Sequence, residues 1–377
     1  MTNILIIAGE ASGDLHGENL MREINAVDKS ISFFGIGGEK MKSAGLKSFY
    51  SVSDMAFLGF WEVVKHLPFI RKVKKELIAA VIENNIKTVI LIDYPGFNLN
   101  IAKKLKSLGI KVIYYISPQL WAWGQKRVEK VRTLVDKMIV IFEFEKEFYK
   151  KHRIDVEFSG HPLIDRLEDY KLLSKEDFYT KNNLEPAKEI LLLLPGSRKQ
   201  EISRIFPNVI KAAEKIANEF NMQIVVANPD NIDKESYSQF AGNVRFKIIS
   251  GYNYELFSYS KFGIIKSGTS TIEAAIFLLP FIVVYKTSGI TYTIGKSLIK
   301  LDNIAMANII AGENVVDELI QKDVSEQKIY KTVKKYLDNN KMYEELKNKL
   351  RIVKEKVGIS GGSKKAAEII LKELNEN

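Results

Sequence analysis

The residues best placed to do chemistry in this sequence are carboxylates and cations that directly follow apolar runs. Asp93 closes the run Thr88 to Asp93 and is followed by Tyr94-Pro95-Gly96-Phe97-Asn98. An acid at the carboxyl end of a buried strand in an open α/β sheet lies where such folds bind ligands. A second acidic cluster follows the first apolar run, Asn3 to Ala8. It is the loop Gly9-Glu10-Ala11-Ser12-Gly13-Asp14-Leu15-His16-Gly17-Glu18. Glu10, Asp14 and Glu18 would repel a diphosphate but suit sugar hydroxyls. The loop does not match G-x-G-x-x-G, which argues against a dinucleotide. The competing reading is plain turn chemistry.

The cations point to the opposite kind of ligand. Glu189 to Ile202 reads EILLLLPGSRKQEI: five apolar residues, a Pro-Gly turn, then Ser197 able to cap a helix with Arg198 at its mouth. Unpaired amides and the helix dipole make such a junction attractive to anions, and an Arg adds a fork suited to a diphosphate or carboxylate. A second junction follows Lys266 in Ser267-Gly268-Thr269-Ser270-Thr271-Ile272-Glu273. Gly268 lets backbone approach a ligand, and the hydroxyls can cap a helix. Glu273 reads either as a capping-box glutamate for Ser270 or as an acceptor for a ribose diol. Asn308, polar within an apolar segment, reads as a hydrogen-bonded structural residue.

The elements that must position these residues are short apolar strands alternating with helical stretches. In the first half they are Asn3–Ala8, Ile31–Ile36, Thr88–Asp93, Lys111–Ile116, Lys137–Phe142 and Val156–Phe158. In the second they are Ile190–Leu194, Met222–Ala227, Val244–Ile249, Phe262–Lys266 and Phe281–Tyr285. Continuous apolar strands separated by helices predict parallel sheets covered on both faces. The expected fold class is therefore α/β, with two Rossmann-like doubly wound domains facing a cleft. The boundaries expected are 1–165 for the first domain, 166–345 for the second and 346–377 for a helical tail. Gly361-Gly362 sets off a last amphipathic helix, Lys364 to Leu374.

Bulk properties exclude several classes. With 377 residues, 46% of them apolar, the chain can bury two cores; without cysteine it has neither disulfides nor thiolate metal sites. The N-terminus has no basic region before its first strand, so it does not read as a signal peptide, and no window approaches the apolar length of a membrane span. A net charge of +10 favours an anionic partner. Nucleic acid fits poorly, because the cations gather beside apolar residues rather than interleaving with aromatics on a sheet. The main such segment is Phe57 to Leu77. Phe57, Phe60, Trp61 and Phe69 there run into Arg71, Lys72, Lys74 and Lys75. This suits either an interfacial element on an anionic membrane or a core-facing helix with a solvated basic side. Pro68 predicts two short helices rather than one. Trp121 and Trp123 after Ser117-Pro118 would line a cleft or fill a core corner.

AGEASGD, IDYPGFN, ISPQLWAWGQKR, FSGHP, LLPGSRKQEI, SGTSTIEAA and NIIAGENVVDEL follow one another along nearly the whole chain. In order and spacing they resemble the lipid-A-disaccharide synthase family. The resemblance implies a GT-B glycosyltransferase at the cytoplasmic face of the Gram-negative inner membrane, peripherally attached. It implies transfer from UDP-2,3-diacylglucosamine to 2,3-diacylglucosamine 1-phosphate through a β-1,6 bond, with inversion and loss of UDP. It also implies a homodimer whose C-terminal segments are exchanged, unless the last helix crosses back onto its own first domain. No cofactor or metal is expected: there is no D-x-D motif, and His16, His66, His152 and His161 are scattered. On this resemblance Asp93 is the first choice for catalytic base, with Glu10 and Asp14 in reserve. Arg198 and helix amides stabilise the diphosphate, Glu273 binds ribose and Asn308 frames the nucleotide pocket. Ser12, Gly13, His16, Asn98, Ser197, Ser267, Gly268 and Thr269 complete the expected substrate contacts, and the 57–75 segment touches membrane or acyl chains. Many members carry an acid where this chain has Gly96, which leaves Asp93 alone or with the Gly9–Gly17 loop. The nearest alternative is another UDP-sugar transferase of this architecture, such as the peptidoglycan disaccharide-forming enzyme with its polyprenyl-linked acceptor.

Overall fold

A computed structural model describes residues 2–55, 66–122, 127–168, 170–229, 232–289, 292 and 303–376. The chain divides into two compact units, Met1–Asp169 with Val357–Asn377, and Tyr170–Lys356.

The first unit is built on strands β1 (Thr2–Ala8), β2 (Ile31–Ile36), β3 (Lys47–Tyr50), β4 (Thr88–Ile92), β5 (Lys111–Tyr115), β6 (Lys137–Val140) and β7 (Val156–Phe158). They pair in parallel in the order β3-β2-β1-β4-β5-β6-β7. From β1 the chain winds outward to β3, then crosses back to lay β4 on the other side of β1. The order therefore reverses between β1 and β4, where Ala8 is registered against Ile92. Ile4–Ala8 and Val89–Ile92 are fully buried, as a strand covered on both faces must be.

The helix Leu67–Glu83 runs unbroken for 17 residues, with Pro68 in its first turn. Proline stands in the first turn of this helix, where its missing N–H is unneeded, and the piece expected before it lies outside the described residues. Phe57, Phe60 and Trp61 lie outside the described residues, as does Trp123. Trp121 fills a buried corner, donating Nε1 to Glu145 at 3.2 Å with its ring edge-on to Phe144. The last helix, Gly362–Asn375, packs on the first unit: Asp165 accepts from the amides of Gly361, Gly362 and Ser363, and Lys111 reaches Glu373 at 2.7 Å.

The second unit carries β8 (Glu189–Leu194), β9 (Met222–Ala227), β10 (Lys247–Ile249), β11 (Ser260–Lys266), β12 (Phe281–Tyr285) and β13 (Glu318–Ile320), parallel in the order β10-β9-β8-β11-β12-β13. Its order reverses between β8 and β11. The expected pair of doubly wound α/β sheets is thus present. Two strands escaped the sequence reading, β3 and β13. Both are short edge strands: β3 is half-exposed and begins at Lys47, and β13 begins at Glu318.

Candidate active site

At the β1/β4 reversal two acids come together. Asp93 follows β4 and Glu10 precedes the helix Ala11–Val27, both at strand C-termini. Glu10 is exposed and Asp93 half-buried. Burial, and then the neighbouring charge of Glu10, push the Asp93 carboxyl up to about 6, against a hydrogen bond from the Tyr94 amide. The backbone here is unusual, with φ of 43° at Asp93 and 46° at Tyr94. Two successive non-glycine residues in the left-handed region are costly and persist only where their surroundings hold them. Those surroundings are identifiable. Asn98 donates from Nδ2 to the carbonyls of Ile92 and Asp93 at 3.1 and 2.8 Å, and Tyr114 donates its hydroxyl to the Asp93 carbonyl at 2.5 Å. Tyr94 donates to the Met55 carbonyl at 2.9 Å, and its ring lies so close over Gly9 that a Cβ there would sit 2.2 Å from Cδ1.

Several expected substrate contacts in this unit have structural duties. Asp14 accepts from the amides of Gly38, Lys40 and Met41 at 2.6, 3.3 and 3.1 Å, capping the helix Glu39–Ser43 and tying it to the first helix. Three of the roughly four acceptor positions of its carboxylate are thereby engaged. Asn98 is buried and spends its amide on the Asp93 turn. Gly13 lets the first helix press on β1, since a Cβ would lie 3.2 Å from that of Ala8. His16 faces His161 across 6.3 Å, and burial and Arg166 push it down to about 4, so it is neutral near pH 7. Ser12 stays exposed beside Glu10. Phe69 is half-buried with its ring edge-on to Tyr50 at 5.6 Å, which makes it partly a core residue. Arg71 and Lys72 on the same helix are exposed.

At the β8/β11 reversal lies a cavity of about 390 Å³, lined by Gly196, Ser197, Lys266, Ser267, Gly268 and Thr269 among others. Here Glu201 is the organiser. It accepts from the Ser197 amide at 3.0 Å, pairs with Lys266 Nζ at 3.0 Å and lies 4.0 Å from Arg198 Nη1. Lys266 and Arg198 thus stand against the same carboxylate. Arg198, with its side chain 64% exposed, is the N-cap of the helix Lys199–Glu219. The cap expected of Ser197 therefore falls one residue later, and Ser197 contributes its amide to the Glu201 turn. The helix Ser270–Ile276 likewise has Thr269 at its N-cap without a side-chain bond, so no Ser270–Glu273 capping box forms. Glu273 is half-buried in its first turn. Ser267 donates to the Ile304 carbonyl at 2.8 Å, and a Cβ on Gly268 would meet only Lys266 Nζ, at 4.0 Å, among the described residues. Asn308 accepts from the amides of Val315 and Val316, both at 2.8 Å, and donates to the Val316 carbonyl and to Glu318. All its polar capacity serves the chain, so it shapes the 304–318 segment and presents nothing to a ligand.

The family model for lipid-A-disaccharide synthetase matches residues 4–373. The chain belongs to the lipid-A-disaccharide synthase family. It is accordingly an enzyme, a glycosyltransferase of lipid A biosynthesis. The synthase of Geobacter sulfurreducens is 38% identical over 99% of this chain and 97% of its own length, and that of Nitrosococcus oceani is 36% identical over 97% and 95%. Among solved structures, Staphylococcus aureus MnaA with UDP superposes with a TM-score of 0.69 at 14% identity, covering 100% of this chain and 97% of that one. Acinetobacter baumannii MurG does so with 0.61 at 10% identity, covering 99% and 100%. At such identities the likeness is one of fold, that of the GT-B glycosyltransferases.

Against the synthase motifs, sequence reading missed the supporting residues. Glu201 and Lys266 stand inside LLPGSRKQEI and before SGTSTIEAA, yet nothing in those strings says that they pair. Tyr114 sits in an apolar strand and reads as core. The signal for Glu201 was its place in the first turn after the glycine loop, where an acid is favoured. Among the described residues no group of three or more His, Cys, Asp or Glu could hold a metal ion, and no helix is long and apolar enough to cross a membrane.

Proposed function

We propose that this synthase transfers a 2,3-diacylglucosaminyl group from UDP to the 6-hydroxyl of 2,3-diacylglucosamine 1-phosphate. Asp93 accepts the hydroxyl proton as the oxygen attacks the anomeric carbon from one face. The bond to the diphosphate breaks on the other face, and UDP departs. The observation that carries this reading is Asp93 itself: a strand-end acid in a held left-handed turn, its carboxyl raised to about 6. A base of that strength is ionised at neutral pH yet strong enough to share a proton. Glu10 beside it accepts hydrogen bonds from acceptor hydroxyls. The departing UDP takes the β8/β11 cavity. There Arg198, Lys266 and the amides around Gly268 meet negative charge growing on the diphosphate, and donors fixed in advance stabilise it most. Exposed Arg71 and Lys72 face the anionic inner-membrane surface, from which both acylated substrates are drawn.

The test is product analysis with pure protein in detergent. UDP-2,3-diacylglucosamine with 2,3-diacylglucosamine 1-phosphate should give a β-1,6 disaccharide and one UDP per bond. UDP-N-acetylglucosamine with a polyprenyl-linked acceptor should give nothing; turnover of that pair alone would replace this reading with the peptidoglycan one.

A further inference from the structure

A groove of about 540 Å³ runs between the helices Pro95–Ser107 and Val128–Leu134 of the first unit. On the first helix it is lined by Gly96, Leu99, Asn100 and Lys103, spaced to form one face. On the second it meets Arg127, Lys130, Thr133 and Leu134. Buried Leu99 and half-buried Leu134 give it apolar surface, while Lys103 and Lys130 are exposed on either side. No carboxylate is among the residues that line it.

Two neighbouring cations on these helices are neutralised. Arg132 pairs with Glu129 at 2.6 Å and Lys106 pairs with Asp136. Lys103 and Lys130, by contrast, have no side-chain partner among the described residues. Two like charges facing one groove repel each other, and an anion between them would relieve this with charge-assisted hydrogen bonds. The groove also starts beside the reaction. Gly96 is in the first turn of the helix that Asp93-Tyr94 opens, and a Cβ there would meet nothing within 4 Å among the described residues.

We infer that this groove is the acceptor's phosphate subsite: Lys103 and Lys130 clasp the phosphate of the acylated sugar acceptor while an acyl chain lies along Leu99 and Leu134. The inference rests on the reaction proposed above. It gives the acceptor a polar anchor near Asp93 that does not depend on the donor.

The experiment compares wild type with a Lys103→Glu/Lys130→Glu double variant in neutral detergent, where membrane charge plays no part. Equilibrium binding and steady-state kinetics are measured with 2,3-diacylglucosamine 1-phosphate and with its dephosphorylated analogue. The expected result is an acceptor Kd and KM raised at least about tenfold, roughly what losing two exposed charge contacts implies. Donor KM and kcat should stay within about twofold, and the penalty should vanish with the analogue. Equal acceptor affinity in the two proteins would overturn the proposal, as would an equal penalty on the dephosphorylated sugar. Weaker sedimentation with anionic vesicles as the sole defect would assign the two lysines to the membrane surface instead. Failure of wild type to form disaccharide, with acceptor binding still phosphate-dependent, would strike the proposed reaction and leave the subsite standing.

Discussion

At the β1/β4 reversal the chain's own side chains crowd the space above the strands, whereas at the β8/β11 reversal a cavity is left open. Tyr94 covers Gly9, and Asn98 and Tyr114 pin the turn beneath Asp93. At the other reversal, Gly268 has among the described residues only Lys266 Nζ for a neighbour, 4.0 Å from where a Cβ would be, and Arg198 projects into solvent. Charge follows the same division: acids alone hold the first site, while Lys266 and Arg198 stand at the second. A rigid, strained, acid-bearing turn suits a proton acceptor that must be aimed. An open cationic mouth suits an anion that must enter and leave. One topology, used twice, thus leaves two differently furnished strand-end sites.

The sharpest way to break the comparison is Asp93→Asn. Turnover should fall by about 10²–10⁴-fold, the usual worth of a positioned base. Stability should move the other way. The folded carboxyl titrates near 6 and the unfolded one near 3.8, so the native state holds its proton more tightly. Wild type therefore loses stability as pH rises from about 4 through 6, by up to about 3 kcal/mol. The Asp93→Asn variant is spared that loss, and an asparagine side chain also tolerates the left-handed backbone. Thermal unfolding should show the variant more stable at pH 7.5, with the gain gone near pH 3.5. Unchanged turnover would remove Asp93 from the chemistry.

Arg198→Ala probes the opposite site and comes second in size. Its side chain is largely exposed, so the melting temperature should stay put while kcat/KM falls by about 10²-fold, with weaker UDP binding by calorimetry. A matching loss of stability would mean that the arginine braces the loop rather than meeting the diphosphate.

Paired glycine substitutions sharpen the contrast at a smaller scale. Gly9→Ala drives a Cβ into the Tyr94 ring, so stability should drop by about 1–3 kcal/mol, with activity following. Gly268→Ala meets no atom of the described residues closer than 4.0 Å and should leave the melting curve unmoved, while UDP affinity falls because the space is kept for ligand. Equal melting curves for the two would erase the distinction between a filled and an open site.

How much of this was legible beforehand follows from range. β1, β4 and β8 were readable because a strand buried on both faces is a continuous apolar run. Asp93 was readable because it ends one. β3 and β13 were not, since an edge strand satisfies only one side and tolerates Lys47 or Glu318 at its start. Asp14 looked like a ligand residue because its partners, Gly38 to Met41, lie more than twenty residues away and reach it only through the fold. Asn308 was read correctly as structural from its apolar neighbours, and the nucleotide role suggested by resemblance found no free atom to support it. Supporting pairs such as Glu201 with Lys266 are tertiary facts, joined across two βα junctions, and no local pattern announces them.

The smallest effect asked of the molecule is a shift in a pH profile. Glu10 is the second cause of the raised Asp93 carboxyl; burial is the first. Glu10→Gln keeps the shape and removes the charge. The acid limb of kcat/KM, expected near pH 6 in wild type, should then move toward lower pH but stop above the ordinary carboxylate value, because the burial remains. The plateau rate should fall modestly if Glu10 also holds acceptor hydroxyls, since the amide keeps one acceptor oxygen. A limb that stays put would mean the two acids do not sense each other in the working enzyme. A limb that disappears would make Glu10, rather than Asp93, the group that titrates. Either outcome would redraw the acid half of the comparison while leaving the cationic half untouched.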